Sequence, residues 1–433
     1  MYLCRMRLFS LLALMAIGIM ACESEASLPS LSSSRTNVSP PVLDPALQAF
    51  VEEYDEYVQA SLDATSGPGA ALVIVKDSQV IFQKGYGFRD ASTGAPVTSK
   101  TIFRIGSLSK GFAGVLAGVL VQQNVLRWEE KVRAHLPAFR LKDAQQSDRI
   151  QLRHLLSHTT GLPYHAYTHL IEQGLDLPEI MKGYFPKSPV CGKEGEFYAY
   201  QNAAFCIAGT LMQSVTGDPY TELLKKRILN PAGMSQTSCS YEGIQSAPDK
   251  ALPHVKSGNH WVTQPIERSY YNAVEAGGIN ANIEDMGKWL LVLLGHRPDI
   301  ISNQALDEVF HPVVKTGKER KIQGGWISRE EASYAMGWRV LEHGGQTILY
   351  HGGFVNGFRA EIAMDRTAGI GVCMLFNGPT DLSSECIQAF FERYKAAMGA
   401  KTDTLYGQVH HRSETNVASS KSGPVGVPGW GQN

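Results

Sequence analysis

The chain has 433 residues, 43% of them hydrophobic and 19% charged, and its 40 basic and 41 acidic side chains leave a formal net charge of -1. That composition excludes a small disulfide scaffold, a disordered tail protein and a collagen-like repeat, and leaves room for one large domain or two ordinary ones. A balanced charge with no basic stripe offers nothing to phosphates, so nucleic acid is excluded as a partner.

Residues 1–21 predict a signal peptide: Arg5 and Arg7 precede an apolar run over 8–20, too short for a transmembrane helix, which needs about 20 residues. The run ends on Ala21-Cys22, which resembles a bacterial lipobox, so Cys22 is predicted to be lipidated after cleavage. Residues 22–43, rich in Ser and Pro, are too polar to fold and predict a tether from lipid to domain. The protein is thus expected on the periplasmic side of a bacterial membrane, held there by its N-terminal lipid. The cysteines at 4, 22, 191, 206, 239, 373 and 386 show neither C-x-x-C nor zinc-type spacing, which argues against a metal site. In an oxidising compartment Cys191, Cys206 and Cys239 could pair, whereas Cys373 and Cys386 lie in core patterns.

Residues 44–400 predict one folded unit. A helix over 45–62 precedes a hairpin of runs 71–76 and 80–86 across Asp77-Ser78. In 107–123, Phe112, Val115, Leu116, Val119 and Leu120 recur at helical spacing, predicting a helix buried along one face. A helical lobe is predicted over about 125–300, with Asp218-Pro219 and Asn282 opening helices within it. Strands at 336–341, 347–350, 358–365 and 369–377 follow, a helix over 383–398 closes the domain, and 401–433 predicts a flexible tail. β segments at both ends around a helical block predict an α/β (α+β) domain: one antiparallel sheet flanked by helices, with an all-helical lobe inserted beside it.

Three short motifs could carry chemistry. Ser107-x-x-Lys110 places a hydroxyl and an amine on one helix face, a workable nucleophile and base if burial lowers the lysine pKa. Tyr200-x-Asn202 precedes an apolar helix; a phenol can relay a proton and an Asn amide can hold a substrate. A second such pair, Tyr270 and Asn272, precedes a glycine turn and ranks lower. His351-Gly352-Gly353 ends a strand, where glycines let a substrate lie against the backbone. The literal Lys315-Thr316-Gly317 sits beside a charged run with no strand pattern and reads as a loop. His165 and His169, four apart, lack an acidic partner and read as surface residues.

In this order the three motifs resemble those of the serine β-lactamase and penicillin-recognising superfamily, in its class C and D-alanyl-D-alanine carboxypeptidase-like branch. The likeness extends to residues 155–163, 230–234 and 276–290, about 45–395 in all. It implies the β-lactamase/transpeptidase-like fold and acyl transfer to water through a covalent acyl-enzyme, without metal or cofactor. By the resemblance, Ser107 is the nucleophile, Lys110 and Tyr200 are coupled bases, and Asn202, His351 and Gly353 bind substrate. The N–H groups of Ser107 and Phe354 would form the oxyanion hole. One departure stands out: this branch's β-lactamases usually have Lys where the chain has His351. A mostly neutral histidine favours substrates bound by shape and hydrogen bonds over β-lactams.

The sequence therefore predicts an exported, monomeric serine hydrolase acting on a small-molecule or peptide amide or ester, with D-Ala-D-Ala-type cell-wall peptides leading. A class C-like β-lactamase or carboxylesterase is the first alternative, and a catalytically degenerate penicillin-binding-like protein the second. A nucleophile-elbow lipase is disfavoured because no G-x-S-x-G occurs.

Overall fold

The structure, a computed structural model, describes residues 43–65, 67–258, 260–316 and 332–417. The expected signal peptide, the tether with Cys22, and residues 418–433 of the expected tail lie outside the described residues.

Helix α1 (Pro45–Thr65) leads into strands β1 (Gly69–Lys76), β2 (Gln79–Asp90) and β3 (Ala95–Pro96). The middle of the chain holds helices α2 (Ser109–Gln122), α3 (Asn202–Thr216) and α4 (Ile283–Leu293) among shorter ones, but the lobe expected to be all-helical also carries a two-stranded hairpin, His254–Ser257 with His260–Thr263. Strands β4 (Val314–Lys315), β5 (Ala332–Tyr334), β6 (Arg339–His343), β7 (Gln346–Val355), β8 (Phe358–Asp365) and β9 (Ile370–Phe376) follow, and helix α5 (Leu382–Val417) ends the described chain. These strands make one antiparallel sheet in the order β3-β2-β1-β9-β8-β7-β6-β5-β4. The first hairpin sits against the last strand, with Val73 opposite Cys373, so both chain ends complete the sheet.

Side chains alternate across the pleat, and both faces are covered, which is why β1 and β9 read as unbroken apolar runs. Leu72, Ile74, Val372 and Met374 pack under α1 and α5 with Phe50, Tyr54 and Phe390. Tyr54, wholly buried, satisfies its hydroxyl by donating to the Cys386 carbonyl at 2.8 Å. Ala71, Val73 and Cys373 face the opposite way, toward Trp289 and Leu290 of α4. Asn282 caps α4 by accepting from the Asp285 N–H at 2.8 Å.

Four local expectations change. α2 is buried all round, because Gly111, Gly114 and Gly118 on its other side let Trp338, the Met336 carbonyl and Val309 approach where a Cβ would collide. β7 runs through His351-Gly352-Gly353 and turns at Asn356-Gly357, whose φ values of 47 and 82 suit a tight hairpin. A Cβ on Gly353 would lie 2.2 Å from the Ile105 carbonyl oxygen, so the glycines serve close packing inside a strand. Val314–Lys315 is an edge strand rather than a loop, paired with Ser333 and Tyr334. α5 continues to Val417, past the expected start of the tail at 401, since no proline interrupts 399–417.

Candidate active site

Gly106 has φ +51, a left-handed conformation that side chains rarely adopt, and a Cβ there would stand 2.9 Å from the Phe354 nitrogen. The chain therefore turns sharply into a 3-10 turn, Gly106–Leu108, and Ser107 sits in that turn rather than in the first turn of α2. Ser109 fixes the turn, donating to the Gly106 carbonyl at 2.7 Å and accepting the Ile279 N–H at 3.2 Å. Lys110, wholly buried, points its Nζ at Ser107 Oγ (3.2 Å) and donates to the Ala276 carbonyl at 2.8 Å. Burial pushes its amine down to about 7; Cys206 opposes this and Arg339 adds to it. The pair expected from Ser-x-x-Lys is therefore assembled, with an amine close to neutral pH.

Tyr200 lies just before α3 with its ring centroid 4.7 Å from Lys110 Nζ. Its ring packs 4.3 Å from His158, whose Nδ1 accepts the Gln201 N–H at 3.2 Å. The stretch 155–163 thus braces the second motif from below. Burial holds His158 well below the ordinary histidine value, with Lys110 and Arg339 adding to the effect. Asn202 is buried at the start of α3 and donates from Nδ2 to Tyr270 Oη at 3.0 Å. Of the lower-ranked pair, Tyr270 reaches the site after all, while Asn272 donates to the Ile171 and Leu175 carbonyls and pins that loop.

The third motif departs most from expectation. Gly352 and Phe354 line the cavity around Ser107, whereas the ring of His351 is buried behind it. His351 Nε2 lies 3.0 Å from Tyr334 Oη, and Nδ1 lies 2.9 Å from the Gly352 carbonyl. The carbonyl requires a proton on Nδ1, so Nε2 accepts from the tyrosine and the imidazole is neutral. Burial, then Arg339 and Lys110, keep its pKa well below the ordinary value. The geometry makes His351 a strut under the strand, with Gly353 packed on Ile105. Lys315 is exposed on the edge strand and lines no part of this cavity. His351→Ala is expected to lower kcat/KM on the order of tenfold by removing the strut under the strand, and Lys315→Ala to leave it within about twofold. Steady-state kinetics on any turned-over ester checks the contrast, and a reversed order would place the third motif at Lys315.

The cavity holds about 710 Å³ and is lined by Ser107, Tyr200, Asn202, Arg339, Gly352 and Phe354, with Tyr164, His165, Thr168, Glu172 and Tyr270 on further walls. Arg339 was not foreseen, and it brings a permanent cation to a site whose third motif carries a neutral histidine. Its guanidinium lies 5.5 Å from the Tyr200 ring centroid. The signal was a lone arginine inside the apolar run 335–341. His165 and His169 are both exposed, as expected of surface histidines, and His165 also lines the cavity, donating its backbone N–H to the Tyr200 carbonyl at 2.8 Å. It lies outside the helix Thr168–Glu172, which removes any shared helix face with His169. Among the described residues no cluster of three potential metal ligands occurs, and Cys191, Cys206, Cys239, Cys373 and Cys386 all carry free thiols.

A sequence family described as Beta-lactamase matches residues 54–397. The chain is 25% identical over 374 residues to Protein flp of Staphylococcus aureus (strain N315), covering 85% of this chain and 68% of that one. It is 26% identical over 333 residues to Unguisins hydrolase ungD' of Aspergillus campestris, covering 74% of this chain and 60% of that one. The octameric penicillin-binding protein homologue from Pyrococcus abyssi superposes with a TM-score of 0.68 at 23% identity, over 79% of this chain and 77% of its own.

Proposed function

The chain belongs to the beta-lactamase family, with its β-lactamase/transpeptidase-like fold, and from that premise we propose that it is an exported serine hydrolase forming an acyl-enzyme on Ser107. The observation that carries this reading is the buried Lys110 amine, about 7 in pKa and 3.2 Å from the Oγ of Ser107, which lines a cavity of about 710 Å³. Such an amine is partly unprotonated at neutral pH and can take the serine proton.

In the proposed reaction Ser107 Oγ attacks the substrate carbonyl while its proton passes to Lys110. The oxyanion falls between the N–H groups of Ser107 and Phe354, which the turn at Gly106 brings onto the same wall. Collapse breaks the amide or ester bond, and the leaving group takes the proton through Tyr200. Water then attacks the acyl-serine, its proton going to the same Lys110 and Tyr200, and the acid leaves with Ser107 restored. Asn202 meets a polar group of the acyl portion. Arg339 supplies the permanent cation that the third motif lacks, which suits a substrate with a free carboxylate, such as a D-Ala-D-Ala-type peptide.

A panel of nitrocefin, p-nitrophenyl esters and D-Ala-D-Ala peptides tests the reading, and turnover of none by the purified chain would overturn it. Arg339→Ala is expected to raise KM for carboxylate-bearing peptides about tenfold, with a smaller change for neutral esters. Equal losses on both classes would remove Arg339 from carboxylate binding.

A further inference from the structure

We propose that a second cavity, walled by Trp128, His154 and Glu308, binds a small cationic amine that also carries a carbonyl oxygen, such as the amide of an apolar amino acid. It shares no lining residue with the cavity around Ser107, so the inference stands apart from the chemistry proposed there.

The cavity holds about 750 Å³, inside the range of about 300–1,000 Å³ usual for small-molecule sites. Val313 and Met336 give it apolar wall, and two polar groups on it are left over once the others are paired. The first is His154, only 6% exposed. Its Nδ1 accepts the Gln151 N–H at 3.2 Å, so the neutral ring carries its hydrogen on Nε2. Burial, and then Arg153, push the ring down to about 4 against the pull of Glu194, which keeps it neutral. Nε2 has no hydrogen-bond partner among the described residues. Its edge faces Gly195, another wall residue, where a Cβ would stand 3.4 Å from Nε2. Because position 195 has no side chain, that donor opens on the cavity instead of being covered.

The second is a carboxylate. Of the three on the walls, Glu129 pairs with Arg153 at 3.6 Å and Asp307 pairs with Arg366. Glu308 has no basic partner among the described residues; its Oε2 accepts the uncharged indole N–H of Trp128 at 2.9 Å. An ammonium at Glu308 supplies the missing charge and lies beside an indole, the ring that attracts cations most strongly. A lone surface carboxylate would take any amine, and the donor on His154 adds the second requirement, an acceptor oxygen. The Glu129–Arg153 pair beside that donor is already balanced, so an uncharged carbonyl suits this end better than a carboxylate. Trp128, Val313 and Met336 then receive an apolar body between the two polar ends.

Isothermal titration calorimetry on the full-length Ser107→Ala chain, chosen so that no amide is consumed, compares three ligands. These are leucinamide, isopentylamine, which lacks the carboxamide, and 4-methylpentanamide, which lacks the amine. Leucinamide is expected to bind at least about tenfold more tightly than either analogue. Adding Glu308→Gln should weaken leucinamide about tenfold and leave 4-methylpentanamide within about twofold. Adding His154→Phe should bring leucinamide to the level of isopentylamine and leave isopentylamine within about twofold. Glu308 is exposed, so if His154→Phe fails to fold, the Glu308→Gln series decides. The inference is overturned by no binding of leucinamide, by equal affinity for leucinamide and isopentylamine, or by a leucinamide affinity that Glu308→Gln leaves unchanged. That last result is the one expected of an amide seated in the cavity around Ser107. The nucleophile assignment stands under each of these outcomes, since none of them reads acylation.

Discussion

Ser107→Ala is expected to abolish covalent labelling by a fluorophosphonate and to lower kcat/KM by about 10⁴-fold or more. The size of the loss follows from geometry. The hydroxyl is the only atom the residue contributes beyond Cβ, and the Lys110 amine 3.2 Å away has no function in acyl transfer without a proton to take. Removing a nucleophile leaves only the binding and oxyanion contributions, which cannot open an acyl-enzyme route. Stability should change little, since Ser107 is not fully buried and its neighbour Ser109 holds the turn through Gly106 and Ile279. Intact mass after labelling reads the adduct directly, and a variant still labelled at wild-type rate would assign the chemistry to another residue. Labelling by the wild type without turnover of any ester, amide or β-lactam would instead favour a penicillin-binding-like protein that traps its acyl group.

How far such a site could be read from the chain depended on sequence distance. Ser107 and Lys110 are three apart, and the pattern of the helix that carries them predicts burial, so a lowered lysine pKa could be anticipated. The Asp77-Ser78 turn and the Asn282 cap are likewise local and were legible. Sixty-eight positions separate Asn202 from Tyr270, and 98 separate Tyr270 from Glu172, so their chain of hydrogen bonds exists only after the helical lobe has packed. The same holds for Arg339, whose place beside Tyr200 depends on sheet order. His351-Gly352-Gly353 was misread as a strand end because glycine usually breaks a pattern. In the fold, those glycines are what allow the strand to pass Ile105 and the Tyr350 hydroxyl. Interior glycines of α2 misled in the same way, since the amphipathic count registers only the large side chains and not the close packing opposite them.

The buried lysine also links activity to stability, and the sign of each can be worked out. Lys110 moves from 10.5 when solvated to about 7 in the fold, mainly through desolvation. Below about pH 7 both folded and unfolded chains carry the proton, so folding bears the full penalty of burying an ammonium. Between about 7 and 10.5 the unfolded chain holds a proton that the folded chain has released, so this part of the stability rises with pH. Activity should climb over the lower part of that window, because only the free amine accepts the Ser107 proton: kcat/KM should rise through about pH 7 and then level off. Lys110→Met keeps the volume and removes both the base and the penalty. It is expected to lose about 10³-fold or more in kcat/KM, yet to melt above the wild type at pH 6, with the gap narrowing toward pH 10. A pH–rate profile and calorimetry at the two pH values check both arms. A flat profile from pH 6 to 8 would remove Lys110 as the base, and a variant that melts below wild type at pH 6 would mean that the ammonium's bonds to Ser107 and the Ala276 carbonyl outweigh its desolvation.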